Sequence, residues 1–152
     1  MVAPFSCAAG ARFALNGFLG APVHALLFLN LHAADLNDAK LASPDAPLCQ
    51  IADRVVLEIT ERASLDQVKD SRARIAALRS LGFRIAIDDL GAGYAGLTSF
   101  AAMEPQFVKL DGSLVRDVDH NPTKQRLIRS ITSVCNIWRS AKPDRPFPSF
   151  SW

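Results

Sequence analysis

The sequence predicts an α/β fold of about four parallel strands with crossover helices, arranged as in a (β/α) TIM-type barrel. Two observations carry this. Short apolar runs of strand length alternate with segments of helical periodicity. Each run also places a polar residue near its C-terminal end, on one and the same face.

The elements follow in order. Ala25–Asn30 (ALLFLN) is the first strand. Residues 33–52 contain Pro44 and Pro47 and are expected to hold one or two helices interrupted there. Arg54–Ile59 (RVVLEI) is the second strand. In the next segment Ser64 has the position of an N-cap and Gln67 closes a capping box. Leu65, Val68, Ile75, Leu78 and Leu81 mark that helix's apolar face, and Gly82 ends it. Phe83–Asp88 (FRIAID) is the third strand, and Gly96–Met103 forms a short helix that stops before Pro105. Gln106–Asp111 (QFVKLD) is the fourth strand. Asn121 and Pro122 then open a last helix, as cap and first-turn residue. Its expected buried stripe is Leu127, Ile128, Ile131, Val134, Cys135 and Trp138.

Side-chain parity is the more telling signal. Phe28 shares a strand face with Asn30, Val56 with Glu58, Ala86 with Asp88, and Phe107 with Lys109 and Asp111. The opposite faces are aliphatic throughout and suit a covering layer of helices. In a β/α barrel the polar set would lie on the inner face at the catalytic end.

Length and composition set outer limits. A chain of 152 residues with 49% apolar and 21% charged residues is one globular domain's worth. A net charge of +2 without a basic run gives no footprint for a nucleic-acid polymer. Cys7, Cys49 and Cys135 lack metal spacing and read as reduced thiols in a cytoplasmic protein. The apolar N-terminus lacks the basic start of a signal peptide, and no run is long enough for a membrane segment. His24, His32 and His120 have no ligand spacing.

The chemistry concentrates in Arg84–Gly96, where a strand ends in Asp88 and Asp89 and a Gly-rich loop follows. Adjacent carboxylates repel unless a cation, a proton or a base lies between them. A divalent metal acting on a phosphate ester is one resolution, and a pair of caps on an exposed loop is the other. Glu58, inside an apolar strand, is a metal ligand or the partner of a basic neighbour such as Arg84 or Lys109. Glu61 is either a brace for the loop at residues 91–96 or a solvated loop residue. Asn30 offers a carbonyl oxygen to a hard cation, or caps a turn. Lys109 pairs with the carboxylates, activates water or stabilises phosphate charge. Asp111 orients Lys109, or caps the next turn. Gly91, Gly93 and Gly96 let the loop turn tightly without forming a Walker or dinucleotide fingerprint.

Leu57–Glu61 (LEITE), Ile87–Tyr94 (IDDLGAGY), Phe107–Asp111 (FVKLD) and Phe28–His32 (FLNLH) resemble the EAL domain family, whose members linearise cyclic di-GMP in bacterial signalling. The likeness covers residues 14–135. It implies a modified barrel and a two-metal site for Mg²⁺ or Mn²⁺. It also implies that Asn30, Glu58 and Asp88 hold one ion and that Asp88 and Asp89 serve the second. Lys109 would stand by the attacking water, with Asp111 in support. Glu61 would brace the loop carrying Gly91, Gly93 and Tyr94, which in this family also bears on dimer contacts.

The departures from the family are specific. No Glu-Ala-Leu motif occurs, and the later Glu-bearing strand has no counterpart. Residues 136–152 contain Pro143, Pro146 and Pro148 and read as an irregular tail unlike the family. The expectation is therefore a partial barrel, truncated at both ends, with an incomplete metal site and hydrolysis absent or strongly impaired. The alternatives are a degenerate, non-catalytic module that binds cyclic di-GMP or another protein, and a remnant without function.

Overall fold

Strand formation begins where large aliphatic and β-branched side chains accumulate, and the computed structural model shows this at each of the four expected runs. It describes residues 18, 20–60, 65, 68–91, 100, 103–141 and 149–151. The chain divides into two compact units, Met1–Ile59 with Ala63–Ile85, and Thr60–Arg62 with Ala86–Trp152.

In the first unit, strand β1 (Leu27–Asn30) lies parallel to β2 (Val55–Thr60). Val55, Val56, Leu57 and Ile59 of β2 are all buried, as expected of a parallel strand covered on both faces. The crossover between the two strands is made of 3₁₀ segments, Ala33–Asn37 and Pro47–Arg54, the latter kinked at Ile51. Pro47 opens its segment, where a missing N–H costs nothing. Arg54 anchors the approach to β1. Its guanidinium lies 4.3 Å from the centre of the Phe18 ring and donates to the Pro22 carbonyl at 2.6 Å.

Helix α1 (Ser71–Ser80) buries Ile75 and Leu78. It starts later than the apolar periodicity from Leu65 suggests, because Asp70 adopts a left-handed conformation (φ 56°) that no continuous helix tolerates. Leu65 and Val68 are buried ahead of the helix instead, while Ser64 and Gln67 lie outside the described residues. Gly82 ends α1 as expected. The Phe83 N–H reaches the Leu78 carbonyl at 3.2 Å and the Gly82 N–H reaches that of Arg79 at 3.0 Å, a Schellman closure with Gly82 at φ 103°. Strand β3 (Arg84–Leu90) follows, with residues 84–85 in the first unit and the rest in the second.

In the second unit, β3 pairs in parallel with β4 (Phe107–Leu110). Of the short helix expected before Pro105, Phe100 and Met103 are helical and the other positions lie outside the described residues. The turn α2 (Gly112–Val115), a 3₁₀ turn at Val118–His120 and the helix α3 (Pro122–Ala141) follow β4. Asn121 caps α3 as expected, accepting from the N–H groups of Thr123 and Lys124 at 3.1 Å each.

Two expectations about the C-terminal part need correction. The stripe of α3 is only partly covered: Cys135 is buried, Ile128, Ile131 and Val134 are half-buried, and Leu127 is 45% exposed. Helical spacing fixes which residues share a face, but not how much of that face a neighbour covers. The tail is not wholly irregular either. α3 runs on to Ala141, and β5 (Ser149–Ser151) pairs in parallel with β4, Phe107 opposite Ser149 and Lys109 opposite Ser151. Three residues are too few for strand periodicity to register in a sequence.

Candidate functional site

In the first unit the ladder of β1 and β2 sets Asn30 directly opposite Glu58. Lateral partners on neighbouring strands lie about 4.8 Å apart and send their side chains to one face. The Leu31 N–H continues this pairing to the Glu58 carbonyl at 2.8 Å. Glu58 is only 6% exposed while Asn30 is exposed, so an amide carbonyl and a sheltered carboxylate stand side by side. Hard oxygen donors of this kind suit Mg²⁺ or Mn²⁺ rather than a soft metal.

In the second unit, Lys109 Nζ lies 3.1 Å from Asp88 Oδ1, with the two side chains 33% and 17% exposed. The ammonium thus stands against one of the two adjacent carboxylates. Asp88 Oδ1 also accepts the Asp89 N–H at 3.0 Å.

A β-bulge accommodates the acidic pair. Ile87 pairs with Val108 and Leu90 with Leu110, so three steps on β3 match two on β4. Val108 and Leu110 share a face, hence Ile87 and Leu90 share it too. In an unbroken strand Asp89 would fall on that face, among residues as buried as Ile87 and Val108. The extra residue removes the conflict, and it leaves Asp89 left-handed at φ 56°.

Gly91, at φ 101°, follows the bulge. A Cβ there would overlap Leu114 Cδ1 and lie 2.8 Å from its Cγ, so the positive φ favours glycine and any larger residue would displace the Leu114 side chain. Asp111 caps α2: its Oδ1 accepts the Ser113 N–H at 2.7 Å, and its own N–H donates to the Leu90 carbonyl at 3.0 Å. The capping role held open for Asp111 is therefore present. Glu61, Gly93 and Tyr94 lie outside the described residues.

The structure thus groups the candidates within units as Asn30 with Glu58, and as Asp88, Asp89 and Lys109 with the Asp111 turn behind Gly91. Among the described residues no group of three or more His, Cys, Asp or Glu could hold a metal ion. The donors nevertheless have the right chemistry for a hard divalent cation, in twos. Sequence reasoning passed over Leu114, which looks like any core leucine until its contact with Gly91 is seen. No helix among the described residues is long and apolar enough to cross a membrane.

Comparison with known proteins places these features. A family model described as the EAL domain matches residues 6–138, a wider span than the motifs alone mark out. Over 80 residues, 53% of the chain, it is 39% identical to the "Probable cyclic di-GMP phosphodiesterase PdeA" of Escherichia coli (strain K12). Over 130 residues, 73% of the chain, it is 25% identical to the "Blue light- and temperature-regulated antirepressor BluF" of the same organism. Among solved structures, BlrP1 of Klebsiella pneumoniae in its calcium/cy-diGMP complex superposes over 84% of the chain with a TM-score of 0.70 and 34% identity. The chain spans 11% of the length of PdeA, 32% of BluF and 34% of the BlrP1 chain. The parallel strands and crossover helices are those of a TIM-barrel-type α/β fold shared with such neighbours. By its matched span, its motifs and its fold, the chain belongs to the EAL domain family.

Proposed function

We propose that this chain recognises cyclic di-GMP with the help of divalent ions, Mg²⁺ or Mn²⁺, and that it hydrolyses the nucleotide weakly or not at all. The observation that carries the reading is the Asp88–Lys109 pair beside the Asp88–Asp89 bulge, because it joins an anionic, oxygen-rich donor set to a fixed cation. Asn30, Glu58, Asp88 and Asp89 are the proposed metal ligands. A divalent ion, when bound, supplies Lewis-acid polarisation of a phosphoryl oxygen. The protein's own part is to orient and to balance charge. Lys109 places an ammonium where it can neutralise Asp88 or stabilise charge developing on a phosphate. Asp111 holds the turn behind Gly91. Glu61 as a loop brace, and Gly91, Gly93 and Tyr94 as the substrate loop, complete the proposed set, on the strength of the family motifs alone.

Impairment is proposed because two-metal catalysis needs both ions placed, and the sequence has no Glu-Ala-Leu motif to supply the carboxylate that the family takes from it. The test is a thermal melt with Ca²⁺ and cyclic di-GMP, beside a product assay with Mn²⁺. A ligand-raised transition, lost in Asp88→Asn, with little linear pGpG at high protein concentration, is the expected result. A transition indifferent to ligand would overturn recognition, and rapid turnover would overturn impairment.

A second reading is favoured by one observation, the likeness to BluF over most of the chain. In it the chain is a non-catalytic module that acts by binding a protein in the cytoplasm, alone or as a homodimer. Ligand-indifferent melting together with retained cooperativity would point there.

A further inference from the structure

We propose that Leu114 is a positioning residue for the acidic bulge, fixing the backbone of Asp88 and Asp89 through its contact with Gly91. This rests on the reading of Asp88 and Asp89 as ligands of a divalent ion.

The argument starts from the bulge. A left-handed aspartate such as Asp89, at φ 56°, persists only where its surroundings over-determine it. Before it, the Asp88 carboxylate holds the Asp89 N–H at 3.0 Å. After it, two restraints come from a single turn. The Leu90 carbonyl accepts the Asp111 N–H at 3.0 Å, and Gly91 is seated so closely on Leu114 that a Cβ would fit only if the Leu114 side chain moved.

Leu114 is itself held firmly. It is 8% exposed, its N–H donates to the Asp111 carbonyl at 3.0 Å, and the Asp111 carboxylate caps the same turn through Ser113. One capped turn therefore pins the residues on the far side of the bulge, by a hydrogen bond at Leu90 and by shape at Gly91. Asp111 acts here through the backbone and the turn, and Leu114 supplies the contact surface. A leucine that merely filled the core would contribute to stability without any selective effect on Asp89.

The test compares the full chain with Leu114→Ala, Leu114→Met and, as a core control remote in sequence, Leu78→Ala. Leu78 is buried on α1 and is no part of the candidate site. Two readouts are taken: hydrogen exchange at the Asp89 amide, and Mn²⁺ affinity by electron paramagnetic resonance. Leu114→Ala should accelerate Asp89 exchange well beyond Leu78→Ala and weaken Mn²⁺ by about ten-fold or more, as loss of an outer-shell support does. Leu114→Met, which keeps the bulk, should restore both. Should Leu114→Ala fail to fold, Leu114→Val carries the same comparison. Equal Asp89 exchange in the Leu114 and Leu78 variants overturns the proposal. If the unmodified chain does not bind Mn²⁺, the ligand reading of Asp88 and Asp89 falls, and Asp89 exchange alone decides the role of Leu114.

Discussion

Removing the cation beside Asp88 tests the charge balance of the candidate site directly. At 3.1 Å, with side chains 17% and 33% exposed, the Asp88–Lys109 pair sits between an exposed and a buried ion pair. The gross attraction at an effective dielectric of 20 is about 5 kcal/mol. Desolvation and solvent screening reduce the net coupling to about 1–2 kcal/mol, above the usual exposed pair and below the cost of breaking a buried one. Lys109→Met keeps the aliphatic stem, and Asp88→Asn keeps an acceptor for the Asp89 N–H, so each change removes charge with little change of shape. Urea unfolding of the two single variants and the double variant gives the coupling as a cycle. A divalent ion should also stabilise Lys109→Met more than the unmodified chain, because the ammonium no longer competes for Asp88. A coupling below about 0.3 kcal/mol would show that the pair is no better than a solvated surface contact, and the charge argument would fail.

Further expectations concern backbone, cap and thiol. Gly82→Ala should cost about 1–2 kcal/mol in chemical denaturation, since the nearest atoms to a Cβ are 3.5 Å away and only the positive φ resists. Gly91→Ala adds overpacking against Leu114 and should cost about 2–4 kcal/mol, so the order of the two variants is itself the check. Asn121→Ala should lose about 1 kcal/mol and speed exchange at the Thr123 and Lys124 amides, whose acceptor it removes. Burial pushes the Cys135 thiol up from its ordinary 9.0 to about 11. Between those values the unfolded chain has given up a proton that the folded chain keeps, so stability should fall as pH rises through that window. Cys135→Ala should show a shallower slope in urea titrations at successive pH values, because burial also raises the Cys49 thiol.

The strands were legible because a buried parallel strand needs a run of aliphatic side chains, and such runs stand out in Val55–Ile59 and Ile85–Ile87. Parity placed Asn30 and Glu58 on like faces, and the ladder sets them opposite one another. The start of α1 was not legible, since periodicity from Leu65 continues through Asp70 while the backbone does not. The exposure of Leu127 depends on which neighbour covers α3, a tertiary fact that spacing does not contain. At the candidate site the residue types were visible and the geometry was not. Two adjacent aspartates announce a conflict with strand alternation, but only the pairing with β4 shows that an extra residue resolves it. Asp111 had two readings in the sequence, orienting Lys109 or capping the next turn, and the Ser113 N–H at 2.7 Å shows that capping is in use.

The bulge also makes the chain respond unequally to a residue lost and a residue gained at this point. It works as a phase shift in a two-step count, with Ile87 and Leu90 in phase although an odd number of bonds separates them. Deleting Asp89 would return the strand to simple alternation with Leu90 still opposite Leu110, and would remove the left-handed residue. Inserting one residue would turn Leu90 away from its partner. Substitutions at Asp88 and Asp89 alter charge and leave this count intact, and loss of Asp89 removes the bulge without moving Leu90 from its partner, whereas an insertion shifts Leu90 off it. The constraint on length at residues 88–90 is therefore one-sided: the sheet accepts one residue fewer and not one more.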